Sequence, residues 1–242
     1  MSGLFYNLGR KVGPKVRRVR WVWHSMTGTE ADAIKTENEV GRDLAREIRK
    51  QTELEREPKV EQILVETGLR LTKCVANQSR TFSFEGIKST EPNAFALPGG
   101  FIFVSRSILD LCEWDRDETA FILAHEMGHV IRKHAINRIM RDLAVTAASR
   151  VAPVRGAVSA WVKKVGIQFL ESTYSQELEF QADLLGVSLA EAAGFAPEAS
   201  IKLLKRLEKI KSLESGFNIG SYFSTHPPFE DRIFNIARKL KQ

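Results

Sequence analysis

The ten residues HEMGHVIRKH, 125 to 134, hold three histidines and a glutamate, the side chains of divalent-metal and proton-transfer chemistry. An α-helix advances about 100° per residue, so His125 and His129 lie about 40° apart on one face and can grip one ion. Glu126 falls about 100° from His125, beside the pair, where a carboxylate reaches a metal-bound water. His134 lies about 180° from His125 and cannot join them while the helix persists. It also misses the extended spacing H-E-x-x-H-x-x-G-x-x-H, because this chain has Arg132 and Ala135 where that pattern needs glycine and histidine. His134 is therefore expected on a solvated helix face.

A catalytic zinc takes three protein ligands and leaves a fourth position for water, so one more ligand must come from elsewhere. The stretch STYSQELEFQADLLG, from residue 172, offers Glu177, Glu179 and Asp183. Leu178, Ala182, Leu185 and Leu189 keep the 4-3-4 spacing of a buried stripe. Glu179, Asp183, Gly186 and Ala190 form an adjacent stripe, in which two acids beside small residues suit the close approach of another helix. Glu177 points away, toward water. Glu179 is the expected third ligand. Asp183, one turn on, is placed to accept the remaining ring N–H of a ligating histidine and so set its tautomer. The donor types point to one Zn2+ per chain, although the same set accepts other divalent ions.

These residues need elements to position them. A charged, helix-prone stretch runs from about 29 to 53 with Thr29 as N-cap. A second helix follows Pro58, where Val60, Ile63, Leu64, Thr67, Leu71, Cys74 and Val75 recur at helical spacing. RTFSFEGIK alternates as a half-buried strand does. NAFALPGGFIFVS reads as two short strands joined at Pro98-Gly99-Gly100. Asp115 with Glu118 makes a capping-box pattern before the HExxH helix, which is expected to continue past 140. Further helices are expected from about 172 to 192, after Pro197, and from near Pro228 to the C-terminus. The result is a mostly helical α+β domain with one small sheet.

The 242 residues suit one large domain with a short extension, and 43% hydrophobic against 27% charged residues excludes wholesale disorder. The net charge of +6 is local. Arg10, Lys11, Lys15, Arg17, Arg18 and Arg20 precede the first acid, Glu30, and without those six the remaining bases equal the 30 acids. This basic arm, interleaved with Phe5, Tyr6, Trp21 and Trp23, is either a contact for an anionic membrane surface or a solvated tail. Nothing beyond charge supports nucleic-acid binding, and none is expected. The arm lacks the apolar core and cleavage site of a secretory signal. It is Arg-rich and acid-free like a mitochondrial transit peptide, but poor in serine and interrupted by Pro14. With no stretch of 18 apolar residues, the expectation is a cytoplasmic or peripherally membrane-associated chain, with mitochondrial targeting left open. Cys74 and Cys112 carry no ligand spacing and are expected as buried thiols.

Four blocks in order, NAFALPGGFIFV, ILAHEMGHVIRKH, ELEFQADLLG and STHPPFEDRI, resemble the zinc metalloendopeptidases that include HtpX and the type 1 CAAX prenyl proteases. The chain is particularly similar to the stress-activated mitochondrial inner-membrane branch and its bacterial relatives, over roughly residues 30 to 240. The resemblance implies a zincin-like (gluzincin) metallopeptidase domain at 29–242 behind the arm at 1–28, with a small sheet beside the HExxH helix. It implies the same ligands, His125, His129 and Glu179, with Asp183 behind them. It adds His226 and Arg232 near the substrate carbonyl and Asn93 beside the substrate backbone. The chain departs from the family's SRxxE form in having Gln176 for arginine.

The expected activity is hydrolysis of peptide bonds in unfolded or misfolded proteins, with Glu126 as general base. The alternative is a metal-binding, chaperone-like protein that rarely cuts, against which the intact Glu126 argues. The strand GFIFVS, read as a sheet edge, would let an extended substrate add alongside Gly100, Phe101 and Phe103. The segment from about 148 to 168, broken by Pro153 and Gly156, is either a flap over the site or an ordinary loop.

Overall fold

The computed structural model describes residues 29–139, 174–213 and 229–241. Helix α1, Glu30–Gln51, starts at a capping box in which Thr29 and Asp32 each bond the other's backbone N–H. After the short strand β1, Leu54–Glu55, helix α2 spans Pro58–Lys73 with proline in its first turn, where a missing N–H costs nothing. Its buried residues Val60, Ile63, Leu64, Thr67 and Leu71 are among those the spacing selected, Gly68 is buried with them, and Cys74 and Val75 lie past its end.

Strands β2, Ser83–Ile87, β3, Ala94–Leu97, and β4, Phe101–Ser105, complete a mixed sheet in the order β1-β2-β4-β3. β3 and β4 form the expected antiparallel pair around Pro98-Gly99-Gly100. Gly99 has φ 76°, a left-handed conformation that glycine adopts without steric cost. One expectation fails here. β4 is not a sheet edge, because it pairs parallel with β2 on one side and antiparallel with β3 on the other. Phe103 is fully buried and stacks on Phe95 with ring centroids 5.2 Å apart. The outer strand beside the functional helix is β3. A parallel partner for β4 was not legible locally, since it lies across the whole loop between β2 and β3.

Helix α3, Arg106–Leu111, leads into α4, Arg116–Ile131, which carries the HExxH residues. Asp115 caps α4, accepting from the N–H groups of Asp117 and Glu118. Glu118 turns its carboxylate to Lys202 and Arg206. Helices α5, Gln176–Ala192, α6, Ala199–Leu213, and α7, Phe229–Lys239, follow. α4 lies between the sheet and α2 on one side and α5 and α6 on the other, so every residue from Glu118 to Val130 is buried.

The second correction concerns its end. α4 stops at Ile131, Lys133 adopts φ 60°, and helical backbone resumes at His134. A buried ion pair, Arg80 Nη1 to Glu37 Oε2 at 2.8 Å, ties α1 to the chain entering β2. Cys74 and Cys112 are free, and Cys112 is buried. Among the described residues no helix is long and apolar enough to cross a membrane.

Candidate active site

α4 and α5 cross where each presents a glycine to the other. A Cβ on Gly186 would stand 3.0 Å from the His125 nitrogen, and one on Gly128 would stand 3.0 Å from the Ala182 carbonyl oxygen. The two backbones therefore approach more closely than side chains would allow. Glu179 and Asp183, on the stripe shared with Gly186, are carried directly onto the histidines of α4.

His125 Nε2 and His129 Nε2 lie 3.2 Å apart, and Glu179 reaches them at 3.5 and 3.3 Å through its two oxygens. Ligands held tetrahedrally at about 2.0–2.1 Å from an ion stand about 3.3–3.4 Å from one another. The two histidine nitrogens are thus close to the mutual spacing of zinc ligands, and with one oxygen of Glu179 the three ligand atoms lie within 4.8 Å of one another. Among the described residues they are the one cluster of three or more such side chains able to hold a metal. All three are buried.

Asp183 Oδ1 lies 2.9 Å from His125 Nδ1. Arg232 donates to both oxygens of the same carboxylate, Nε to Oδ2 and Nη2 to Oδ1, each at 2.7 Å. Its Nη1 stands 3.5 Å from Glu179. Burial pushes Asp183 upward, but Arg232 and His125 outweigh it and hold the carboxyl below its ordinary value. Burial lowers His125, yet its bonds to Asp183 and Glu179 prevail and raise it to about 9. The negative field that draws a proton there favours a divalent cation at the same place.

Glu126 is 2% exposed. Burial, with Glu179 adding to it, pushes its carboxyl up to about 8 against the pull of His125, Arg232 and a hydrogen bond from the Ala96 N–H.

His134 is not on a solvated face. It is 4% exposed, and its Nδ1 lies 2.9 Å from His129 Nδ1. The helical-wheel argument assumed a continuous helix, and the break at Lys133 brings the ring back. Burial holds His134 below the ordinary histidine value. Tyr174 stacks on the imidazole of His129, the two ring centroids 4.1 Å apart. Sequence reasoning missed Tyr174, whose signal is an aromatic residue just ahead of the helix that carries Glu179.

Arg232 has no exposed surface, and its guanidinium is turned to Asp183 and Glu179 rather than outward. Gln176, in the place of the family's arginine, donates to Asp231 at 2.6 Å and joins the start of α5 to α7. Glu177 is exposed, as expected. Asn93 is nearly buried, and its carbonyl accepts from the Ser105 N–H just ahead of β3. Gly100 is buried in the turn and Phe101 half-buried. His226, the segment 148–168 and the basic arm lie outside the described residues.

Replacing Asp183 with asparagine keeps the shape but removes the anionic acceptor behind His125. Zinc affinity of Asp183→Asn, read by competition with a chromophoric chelator, is expected to fall about 10- to 100-fold. Unchanged affinity would show that Asp183 does not support the ligand.

Comparison with known proteins agrees with this geometry. The mitochondrial metalloendopeptidase OMA1 of Saccharomyces cerevisiae is 32% identical over 63% of this chain and 44% of its own length. The Schizosaccharomyces pombe OMA1 is 31% identical over 64% of this chain and 46% of its own. The β-barrel assembly-enhancing protease of Escherichia coli is 24% identical over 89% of this chain and 46% of its own. The chain spans less than half the length of these relatives. Residues 55–239, from β1 to the end of α7 and including every residue of the metal cluster, match Peptidase family M48. With its buried His-His-Glu cluster set beside a small mixed sheet in a mostly helical, zincin-like fold, the chain belongs to Peptidase family M48.

Proposed function

We propose that the chain is a zinc-dependent metalloendopeptidase that cuts unfolded or misfolded proteins. The observation that carries this reading is the buried triad His125, His129 and Glu179, whose ligand atoms lie within 4.8 Å of one another, with the Glu126 carboxyl on the residue after His125 in the same helix. Zinc held there would supply a Lewis acid and lower the pKa of a coordinated water to about 7.

Glu126, steadied by the Ala96 N–H, takes the proton of the attacking water and returns it to the leaving amine. His226 is proposed to steady the carbonyl oxygen, on the strength of the family resemblance. For Arg232 we propose a different part from the one the resemblance implies. Its burial against Asp183 and Glu179 suits a cation that positions those carboxylates, not one that touches substrate.

Substrate recognition is proposed at β3 rather than β4. The Ser105 N–H donates to the Asn93 carbonyl, and bonded positions alternate in an antiparallel pair. Phe95 and Leu97 therefore also face β4, while the backbone groups of Ala94 and Ala96 face the other way. Ala96 already gives its N–H to Glu126. Among the described residues the Ala94 amide and both carbonyls are left to bind an extended chain as an added strand. Such pairing reads little sequence, which favours unfolded segments as a class. The relatives named above are of the mitochondrial and β-barrel-assembly kinds, so the CAAX prenyl protease side of the resemblance is not carried into this proposal. Residues 1–24 are proposed to contact an anionic membrane surface.

Casein cleavage by the purified chain is expected to stop with a chelator. In Glu126→Gln at equal zinc content it should fall by about 10²–10⁴-fold. Zinc bound without any cleavage would favour the chaperone-like alternative. Ala94→Pro removes one outward N–H and leaves the β3–β4 bonds untouched. It should lower kcat/KM about tenfold without changing zinc affinity, and an unaltered kcat/KM would sink the added-strand model. Liposome flotation decides the membrane proposal: the full chain should rise with acidic vesicles and a chain lacking residues 1–24 should not.

A further inference from the structure

A histidine that gives Nε2 to a metal keeps its proton on Nδ1, and that N–H needs an acceptor that also sets the ring's angle. His125 has the Asp183 carboxylate at 2.9 Å. His129 is approached differently, because its Nδ1 faces the Nδ1 of His134, also at 2.9 Å. His134 can accept there only with its own proton on Nε2. That nitrogen lies 3.4 Å from Gln181 Oε1. Gln181 in turn donates through Nε2 to Glu177 Oε1 at 3.1 Å. A carboxylate only accepts, so the exposed Glu177 fixes the amide, the amide fixes the His134 tautomer, and His134 fixes that of His129.

We infer that His134 is a positioning residue for the metal centre, accepting the His129 Nδ1–H and, with Gln181 and Glu177 behind it, holding His129 with Nε2 toward the ion. This rests on the reading of His125, His129 and Glu179 as metal ligands. The backbone supports it independently. Lys133 takes a left-handed conformation, which is strained for a residue with a Cβ, and the turn it makes brings His134 beside His129. Tyr174 covers the face of the same imidazole, so ring plane and tautomer are set by separate neighbours.

The test is zinc affinity of the full chain, by competition with a chromophoric chelator, in wild type, His134→Leu, His134→Asn and Gln181→Leu. Thermal melts of each metal-free protein would run alongside. The asparagine Oδ1 stands near where the histidine Nδ1 does, so it keeps the acceptor. His134→Leu should bind zinc about 10- to 100-fold more weakly, and His134→Asn should stay within about threefold of wild type. Gln181→Leu should weaken binding severalfold at an unchanged metal-free melting temperature. In the cobalt(II)-loaded protein the visible bands should move in His134→Leu and not in His134→Asn.

Equal affinity in all four proteins would overturn the inference. So would an equal loss in the leucine and asparagine variants, because the pocket would then need the imidazole's bulk and not its acceptor. If His134→Leu does not fold, Gln181→Leu decides, with unchanged zinc affinity counting against the chain of hydrogen bonds. Failure of the wild type to bind zinc would remove the metal centre itself, an outcome distinct from equal binding by wild type and variants.

Discussion

Three carboxylates, Glu126, Glu179 and Asp183, are withdrawn from water where α4 crosses α5, and the rest of the site answers to that fact. Desolvating one carboxylate costs several kcal/mol even after the protein relaxes. The compensation has to be local and cationic. Arg232 supplies part of it from α7, with a two-point bond to Asp183 and a reach toward Glu179. This explains why the guanidinium is among the largest fully buried side chains in the described structure. The remainder falls on the histidines, and His125 is raised to about 9 by the carboxylates on either side of it. A divalent ion between His125, His129 and Glu179 satisfies the same field without protonating a ligand. A metal bound there would meet the demand for charge balance as well.

That arrangement depends on a backbone feature as much as on the ligands. Side chains at the crossing of α4 and α5 would hold the helix axes about 8–10 Å apart. Gly128 and Gly186 let each helix backbone come within contact of the other. A glutamate reaching across a wider gap would have to extend and lose its fixed rotamer. The close crossing thus turns Glu179 from a flexible acid into a positioned one. It also buries α4 on all sides, which leaves β3 as the neighbouring element with backbone groups turned toward Glu126.

The side chains that meet at the candidate site were largely legible in the sequence because their spacing is short-range and periodic. His125, Glu126 and His129 share one helix, and Glu179, Asp183 and Gly186 share another, so intervals of three and four residues were enough to pick them out. The helices capped by Thr29 and Asp115, and the β3–β4 hairpin around Pro98-Gly99-Gly100, were legible for the same reason. What was not legible depends on contacts between distant segments. β4 looked like an edge strand because its parallel partner, β2, is not its neighbour in sequence. Arg232 was placed near the substrate carbonyl by resemblance alone, because nothing local says that α7 packs against α5.

His134 shows the limit most clearly. A helical wheel is valid only as long as the helix is, and α4 ends three residues before His134, at Ile131. Arg132 and Lys133 are ordinary helix-forming residues, so the sequence at the break does not announce it. The left-handed turn at Lys133 is held by tertiary context instead. One pull comes from His134, which is packed against His129. Another comes from Ala135, Ile136 and Ile139, which are buried just beyond it. Had the helix continued, His134 would have faced away from His129 and left its Nδ1–H to another acceptor. A local strain of order 1 kcal/mol is thus set against the burial of three apolar side chains at about 1.5–3 kcal/mol for each of the two isoleucines. The packing wins, and the turn that it enforces brings His134 Nδ1 to 2.9 Å from His129 Nδ1.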